Sequence, residues 1–276
     1  MNKIVLTGAG GRLGSYLRKP ISKLCKELIS TDRIDNIKNL NSNEVYVKAD
    51  LEDFNKINEI LRDAEMVVHF GGYPDEYPFD KILNSNIIGC YNIWEAAYRN
   101  KLKRVVYASS IHAVGMYPKN EFIDLDVPHR PDSYYGLAKC FAEDLARLYW
   151  DKKQLETICL RILSCAKPTN PRSIGSWLSY DDLIHLVERA ILTPTVGYSI
   201  IYGVSNNDQT PVDNSKASFI GFRPNDNANK FEKEIMNSFP KGDPKDLDQM
   251  LHGGPFATTD FGESGVAKLG LSEDDK

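Results

Sequence analysis

Ile4-Val5-Leu6-Thr7-Gly8-Ala9-Gly10-Gly11-Arg12-Leu13-Gly14 is the stretch that decides the fold of this chain of 276 residues. The apolar residues that open it are typical of a buried strand, and the glycines that follow allow a tight turn. The turn leads into a predicted helix that runs from Arg12 to Cys25. The order strand, glycine turn and helix is typical of the first unit of a parallel α/β sheet.

The alternation of strands and helices continues to about residue 163. Further strands are predicted at 27–30, 45–47, 66–70, 104–108 and 157–162, and further helices at 54–61, 82–98 and 133–152. Short, continuous apolar strands separated by helices indicate a parallel sheet with both faces covered. We therefore predict an α/β fold, a Rossmann doubly wound parallel sheet with a small C-terminal substrate-binding portion.

The chain is divided on this basis into three parts. Residues 1–163 form the predicted Rossmann core, and residues 164–240 the small substrate-binding portion, with a helix at 181–192 and a strand at 198–202. The remaining tail, 241–276, is rich in Gly, Asp and Pro, and we expect irregular surface structure or an arm that reaches a partner. Its last residues, 272–276, are expected to be frayed.

The glycine turn predicts a dinucleotide site. Parallel sheets bind ligands beyond the carboxyl ends of their strands, and glycines there let a pyrophosphate approach a helix N-terminus. Asp32 ends the second predicted strand and is expected to bind the adenosine ribose hydroxyls. Its charge repels a 2′-phosphate and favours NAD, although Arg33 beside it is able to accommodate such a phosphate. Asp50 and Leu51 follow the third strand and are expected to flank the adenine.

A second group of residues predicts proton transfer. Tyr135 and Lys139 are four residues apart on a predicted helix, so they share one face. An ammonium near a phenol favours the phenolate, which lowers the phenol pKa from about 10 towards a range useful to a general base. Ser109 and Ser110 end the fifth strand and point to opposite sides, so one of them is expected to hold the reacting oxygen. Together with the glycine turn, these residues predict redox chemistry on a hydroxyl or carbonyl carbon.

The chain resembles the extended short-chain dehydrogenases/reductases and, among them, the NAD-dependent uronate dehydrogenases. The resemblance covers most of the chain and rests on five motifs: TGAGGRLG from Thr7, ADL from Ala49, NIIG from Asn86, SSIHAVG from Ser109 and YGLAK from Tyr135. The cofactor residues expected from the glycine turn and from this resemblance are Gly8, Gly11, Arg12, Leu13, Gly14, Asp32, Asp50, Leu51, Gly71, Gly72, Asn86, Lys139 and Cys165.

The resemblance implies oxidation at C1 of a free hexuronate, glucuronate or galacturonate, to its aldonolactone. Ser110, Tyr135 and Lys139 would be catalytic, with Tyr135 as the base and Ser110, rather than Ser109, at the sugar oxygen. Arg172 would pair with the C6 carboxylate in a bidentate contact. The sugar contacts implied are Pro74, Ser110, Ile111, His112, Tyr135, Ser164 and Arg172.

Two residues depart from the pattern of that family. Pro74 stands where the family has a serine, and Ile111 where it has an asparagine. Both changes remove polar groups from the expected sugar site, which reduces discrimination between sugars. A neutral, deoxy or phosphorylated aldose is therefore an alternative substrate to the hexuronate. A sugar-nucleotide epimerase and a non-catalytic NAD sensor also stay open, although residues 164–224 are short for a nucleotide-sugar domain.

Composition excludes several other classes. The net charge of -4, with both signs mixed, predicts no nucleic-acid partner, and no apolar run reaches the length of a membrane span. The five histidines have no metal-ligand spacing, and the five cysteines form no C-x-x-C pair, which favours a reduced, cytoplasmic protein without a bound metal. Apolar residues on more than one face of helices 82–98 and 133–152, including Trp94, Phe141 and Leu148, lead us to expect a homo-oligomer.

Overall fold

The protein's fold is seen in a computed structural model that describes residues 1–238 and 245–268. Seven parallel strands form one sheet in the order β3-β2-β1-β4-β5-β6-β7. The strands are β1 (Lys3–Thr7), β2 (Glu27–Asp32), β3 (Glu44–Lys48), β4 (Met66–His69), β5 (Arg104–Ser110), β6 (Glu156–Ile162) and β7 (Tyr198–Gly203). This order reverses direction after β1, which confirms the predicted doubly wound Rossmann sheet.

Helices cover both faces of the sheet. They are α1 (Arg12–Ser22), α2 (Phe54–Ile60), α3 (Phe79–Ile82), α4 (Gly89–Arg99), α5 (Tyr134–Lys153), α6 (Pro171–Ser176), α7 (Tyr180–Leu192), α8 (Glu232–Ser238), α9 (Leu247–Met250) and α10 (Gly265–Lys268). Neighbouring residues of β1 enter different cores: Ile4 and Leu6 pack in the core under α1 and α7, and Val5 packs in the core under α2, α4 and α5. The alternation of a buried strand thus separates two hydrophobic cores.

The long helix predicted at 82–98 is interrupted. It begins earlier, at Phe79, and between α3 and α4 the backbone forms a π-helical turn, Leu83–Ile88. Such turns are frequent beside functional sites. Here the turn carries Asn86, whose amide holds the backbone of Tyr73 on both sides: Nδ2 donates to its carbonyl oxygen at 2.9 Å and Oδ1 accepts its N–H at 2.8 Å.

The tail, expected to be irregular surface structure or an arm that reaches a partner, is held in part by other segments of the same chain. Residues 250–266, here named the strap, return across the carboxyl ends of the strands. The N–H of Gly253 donates to the carbonyl of Gly115 at 2.8 Å, and the N–H of His252 to the carbonyl of Tyr117 at 3.0 Å. Composition is local, whereas these contacts join segments far apart in sequence, and whether the tail also reaches a partner stays a prediction. The predicted fraying at 272–276 lies outside the described residues.

Two buried acids fasten the strap to the loop after β4. Asp75 accepts hydrogen bonds from the hydroxyl of Ser264 and, at 3.2 Å, from the N–H of Val266. Glu76 accepts from the N–H of Gly262 at 3.0 Å. Both acids are almost without exposed surface. Within the described residues, no helix combines the length and the apolar character that crossing a membrane requires.

Candidate active site

A cavity of about 520 Å³ runs along the carboxyl ends of the strands. One end is bounded by the glycine turn and by the acids Asp32 and Asp50, and the other end by Ser110, Tyr135 and Lys139. The predicted cofactor residues that line it are Gly8, Gly11, Arg12, Leu13, Gly14, Asp32, Asp50, Leu51, Gly71, Gly72, Lys139 and Cys165. The structure therefore brings the two sequence signals together in one site.

The glycine turn is too crowded for larger residues. Gly8 has φ +70°, and a Cβ there would lie 2.5 Å from the carbonyl oxygen of Phe70. A Cβ on Gly14 would lie 2.0 Å from the carbonyl oxygen of Gly8. These glycines allow the close packing of turn, helix and neighbouring strand that a pyrophosphate site requires.

Asp32 lies where β2 ends and lines the cavity. Its carboxylate accepts the N–H of Gly10 at 2.9 Å and the N–H of Arg33 at 2.7 Å, so it fixes the turn as well as carrying a charge. Arg33 is turned to the other wall, where its guanidinium donates to the hydroxyl of Tyr73 at 3.0 Å. The guanidinium of Arg33, which would be needed to accommodate a 2′-phosphate, is thus already hydrogen-bonded to Tyr73.

The residues present fit a dinucleotide. Arg12 lines the cavity, and its Nε and one terminal nitrogen are buried without a hydrogen-bond partner among the described residues. A buried guanidinium without an acceptor is costly, and a pyrophosphate at this helix N-terminus supplies the acceptor. Asn86 is the expected cofactor residue that lies behind the cavity wall rather than in it, and its direct contact with a cofactor stays a prediction.

The start of α5 positions Tyr135. Ser133 caps the helix by accepting the N–H of Gly136 at 3.0 Å, and Glu76 accepts the N–H of Tyr135 itself at 2.8 Å. The phenol hydroxyl forms a hydrogen bond with Ser110, at the end of β5. Of the two serines, Ser110 is thus the one beside the tyrosine. Ser109 instead donates to the buried Glu143 at 2.5 Å, which is a structural role rather than a catalytic one.

Lys139 lies one turn after Tyr135 and beneath it. Its Nζ is 5.1 Å from the centre of the Tyr135 ring and donates to the carbonyl oxygen of Ala108 at 2.7 Å. Burial lowers the pKa of Lys139 to about 8. Burial also raises the pKa of Tyr135, with a smaller lowering from the Ser110 hydrogen bond. The expected lowering of the phenol pKa is wrong for the chain's own groups, because burial outweighs the other effects and Lys139 is not among the groups that shift the phenol pKa.

Two residues at the sugar end, Asp132 and Phe256, were not among the predicted site residues. His112, which was predicted, lines the cavity, and its Nδ1 is 2.7 Å from the buried carboxylate of Asp132. Phe256 of the strap stacks on the His112 ring with 3.9 Å between centres and also lines the cavity. No periodicity in the sequence marks Asp132 or Phe256, and for this reason neither was predicted.

The other expected sugar residues divide between two cavities. Pro74, Ser110, His112, Tyr135 and Ser164 line the main cavity. Ile111 and Arg172 instead line a small second cavity behind it, where Arg172 donates to the carbonyl of His252. Leu163 lines both cavities and separates them.

All five cysteines are free. Across residues 1–238 and 245–268, no group of three or more His, Cys, Asp or Glu side chains is placed to hold a metal ion.

Comparison with known proteins agrees with this geometry. The sequence matches the NAD dependent epimerase/dehydratase family over residues 4–176. A uronate dehydrogenase of Agrobacterium fabrum is 40% identical over 257 residues, which cover 93% of this chain and 97% of that protein. The crystal structure of uronate dehydrogenase from Agrobacterium tumefaciens has a TM-score of 0.91 at 39% identity and covers 95% of this chain and 99% of that chain. A mutant of the same enzyme complexed with NAD has a TM-score of 0.90 at 39% identity, over 94% and 98% of the two chains.

Proposed function

This chain belongs to the NAD dependent epimerase/dehydratase family, and on that premise we propose that it is an NAD-dependent dehydrogenase that oxidises C1 of a free hexuronate to the aldonolactone. The observation that carries the proposal is the meeting of Ser110, Tyr135 and Lys139 at one end of a cavity whose other end is the glycine turn. The reaction class is inferred from the similarity to uronate dehydrogenases, and the residues proposed to carry out the reaction are those that line the cavity.

NAD supplies a hydride acceptor when it is bound. The glycine turn and Arg12 would hold its pyrophosphate, and Asp32 its adenosine ribose. Lys139 would contact the nicotinamide ribose. A carboxylate at the end of β2 and an Arg33 already bonded to Tyr73 both favour NAD over NADP.

The chain's own residues move the proton. Ser110 holds the C1 hydroxyl of the sugar beside the phenol of Tyr135, and Tyr135 accepts the hydroxyl proton as the carbon is oxidised. His112, fixed by Asp132, presents its free edge to the sugar hydroxyls. Phe256 closes the site over His112 and limits the access of water.

A neutral, deoxy or phosphorylated aldose is the second candidate substrate. It is favoured by one observation: the sugar end of the main cavity lacks the polar groups expected at positions 74 and 111, and Arg172 lies behind its wall. A sugar-nucleotide epimerase is a weaker alternative, because no acidic pair follows Ser110 and the segment beyond β6 is short.

The deciding experiment is the formation of NADH, followed by its near-ultraviolet absorbance, with NAD and a panel of sugars. The panel contains glucuronate, galacturonate, glucose, galactose, fucose, arabinose and glucose 6-phosphate. We expect turnover with the uronates. Turnover with a neutral or phosphorylated sugar alone would overturn the substrate and keep the mechanism. No NADH with any free sugar would favour the epimerase, which returns its hydride to the substrate.

The protein is also proposed to be a cytoplasmic homo-oligomer. Free thiols at all five cysteines agree with a reducing compartment. The outer faces of α4 and α5 expose apolar side chains at helical spacing, which suits association of two copies: Ile88, Tyr91 and Tyr98 on or beside α4, and Leu137 and Leu148 on α5. Trp94, expected on this surface, is fully buried instead.

A further inference from the structure

The side chain of Arg33 reaches across the end of a strand. Arg33 follows β2 and Tyr73 follows β4, and β1 lies between these two strands in the sheet. Neighbouring strands are about 4.8 Å apart, so β2 and β4 are separated by roughly 10 Å. The hydrogen bond of 3.0 Å from the guanidinium of Arg33 to the hydroxyl of Tyr73 therefore crosses the carboxyl end of β1, where the glycine turn begins.

Tyr73 contacts the arginine with its ring as well as with its hydroxyl. The central carbon of the guanidinium lies 4.9 Å from the centre of the Tyr73 ring, which is within the range of a cation–π contact. The ring packs in turn on that of Tyr77, with 4.5 Å between centres. Asn86, on the π-helical turn, bonds both the N–H and the carbonyl of Tyr73. The backbone that carries the ring is thus fixed independently of Arg33.

The carboxylate of Asp32, at the ribose end of the site, has backbone partners: it accepts the N–H groups of Gly10 and Arg33. The hydrogen bond with Tyr73 raises the pKa of Arg33, and the charges of Asp32 and Asp50 add smaller increases, so the guanidinium lies within reach of both acids. Arg33 is exposed. Its side chain is therefore able to turn back towards the ribose end of the cavity once its bond to Tyr73 is broken.

We propose that Tyr73 is a specificity-determining residue for the cofactor: it holds Arg33 across the end of β1 and so keeps the guanidinium from the 2′-phosphate that distinguishes NADP from NAD. An arginine near the acid of β2 is able to accommodate that phosphate. In this chain it must first give up its bond to Tyr73, and the free energy of that bond is subtracted from the binding of NADP. The bond does not oppose NAD, which carries a hydroxyl in place of the phosphate. This inference rests on the NAD site of the proposed function and is independent of the sugar that is oxidised.

The test measures the calorimetric binding of NADH and NADPH, without any sugar, to the parent protein and to variants of Tyr73. Tyr73→Phe removes the hydroxyl and keeps the ring, whereas Tyr73→Leu removes both contacts with Arg33. The dissociation constant of NADPH relative to that of NADH should fall by about two- to tenfold in Tyr73→Phe, the value of one hydrogen bond, and further in Tyr73→Leu. NADH binding should change little. The gain for NADPH should shrink as salt is added, because it comes from an exposed ion pair.

Two further variants separate this role from a general change in the cavity wall. Tyr77→Phe is the matched control, because Tyr77 also lines the cavity and loss of its hydroxyl leaves the bond between Arg33 and Tyr73 in place. Arg33→Gln combined with Tyr73→Leu should cancel the gain for NADPH, since the gain depends on the released guanidinium.

Each result has a distinct meaning. An unchanged ratio of the two dissociation constants in both Tyr73 variants, or NADPH binding that stays undetectable in Tyr73→Leu, would overturn the inference. An equal fall of the ratio in Tyr77→Phe or in the variant that lacks Arg33 would overturn it too. A parent protein that binds neither cofactor would overturn the dinucleotide site and the inference with it. The expected fall of the ratio in a protein that oxidises none of the sugars would support the role of Tyr73 and overturn only the proposed reaction.

Discussion

At the scale of the residue, the phenol of Tyr135 depends on its neighbours for direction. Ser133 caps the helix below it, Glu76 binds its backbone N–H and Ser110 binds its hydroxyl. Burial raises the pKa of the phenol. In the proposed reaction, transfer of the proton to Tyr135 would therefore be coupled to loss of hydride from the same sugar.

Tyr135→Phe tests this role. Removal of the hydroxyl should lower kcat by about 10²- to 10⁴-fold, the usual contribution of a general base, and leave NAD binding unchanged. Tyr134→Phe is the matched control, because Tyr134 packs against Phe79 and Phe261 and does not line the cavity. Full turnover by Tyr135→Phe would show that the proton leaves by another group.

Asp32→Asn tests cofactor choice. The amide still accepts the N–H of Gly10, but the negative charge is lost, so KM for NAD should rise and NADP should become usable. Asp35→Asn is the control, since Asp35 is exposed and paired with Lys48 outside the cavity. Steady-state kinetics with both cofactors measure the effect, and unaltered discrimination would mean that the charge of Asp32 has no part in it.

Local patterns were sufficient for these residues and insufficient for Arg172. Gly8, Asp32, Tyr135 and Lys139 lie at strand ends or on one helix face, and spacing alone brings them to one edge of the sheet. The place of Arg172 depends on a carbonyl eighty residues away in sequence, which no local pattern reveals.

At the scale of the element, α5 is fastened to the sheet by one buried acid. Glu143 accepts from Ser109 on β5 at 2.5 Å, from Arg161 on β6 at 2.7 Å and from His129 at 2.8 Å. Glu143 lies one turn after Lys139, so the same bonds fix the lysine. Hydrogen bonds and the charge of Arg161 lower the pKa of Glu143 to about 2.

Glu143→Gln should destabilise the fold. It leaves Arg161 buried without its counter-charge, which costs about 3–5 kcal/mol in comparable pairs. Asp151→Asn, which weakens the exposed pair with Arg147 on the same helix, is the control and should leave the free energy of unfolding nearly unchanged, because solvent screens exposed pairs. Urea unfolding measures both, and equal small effects would contradict the anchoring role.

The pH dependence of the parent protein follows from the same cluster. The folded pKa of Glu143 is below its usual 4.5, so its contribution to stability is complete above pH 4.5 and is lost as the pH falls towards 2. The pKa of His129 is raised from 6.5, so its contribution has the opposite sign: it is complete below pH 6.5 and is lost as the pH rises through the folded pKa. The acid loss should be reduced in Glu143→Gln.

The strands and α5 could be predicted because the spacing of their apolar residues can be seen within a few positions of the sequence. The π-helical turn before α4 was not, because it follows from the bonds between Asn86 and the backbone of Tyr73, thirteen residues earlier.

At the scale of the whole molecule, the strap closes the site from the far end of the described chain. Its bonds to Asp75 and Glu76 span nearly two hundred residues. Composition predicted irregular structure there, and no sequence pattern showed that this structure lies over the active site.

Phe256→Ala tests the closing role. Loss of the ring that stacks on His112 should raise KM for the sugar and lower kcat, while NAD binding changes little. Phe261→Ala on the same strap is the control, because Phe261 is 73% exposed and does not line the cavity. Equal KM and kcat for the sugar in both variants would mean that the ring of Phe256 does not close the sugar site.

Leu148→Glu tests association. A charge on the outer face of α5 should dissociate the proposed oligomer, as measured by light scattering after gel filtration. Leu192→Glu, on the opposite face of the sheet and similarly exposed, should not. A monomeric parent protein would overturn the oligomer.

The strap also sets the order in which the protein becomes active during synthesis. The ribosome delivers the glycine turn before residues 250–266, and N-terminal segments fold before later ones emerge. The sheet and its dinucleotide site can therefore form on a nascent chain that still lacks Phe256 and the His252 carbonyl that holds Arg172. Such a chain is expected to bind cofactor before its sugar site is complete.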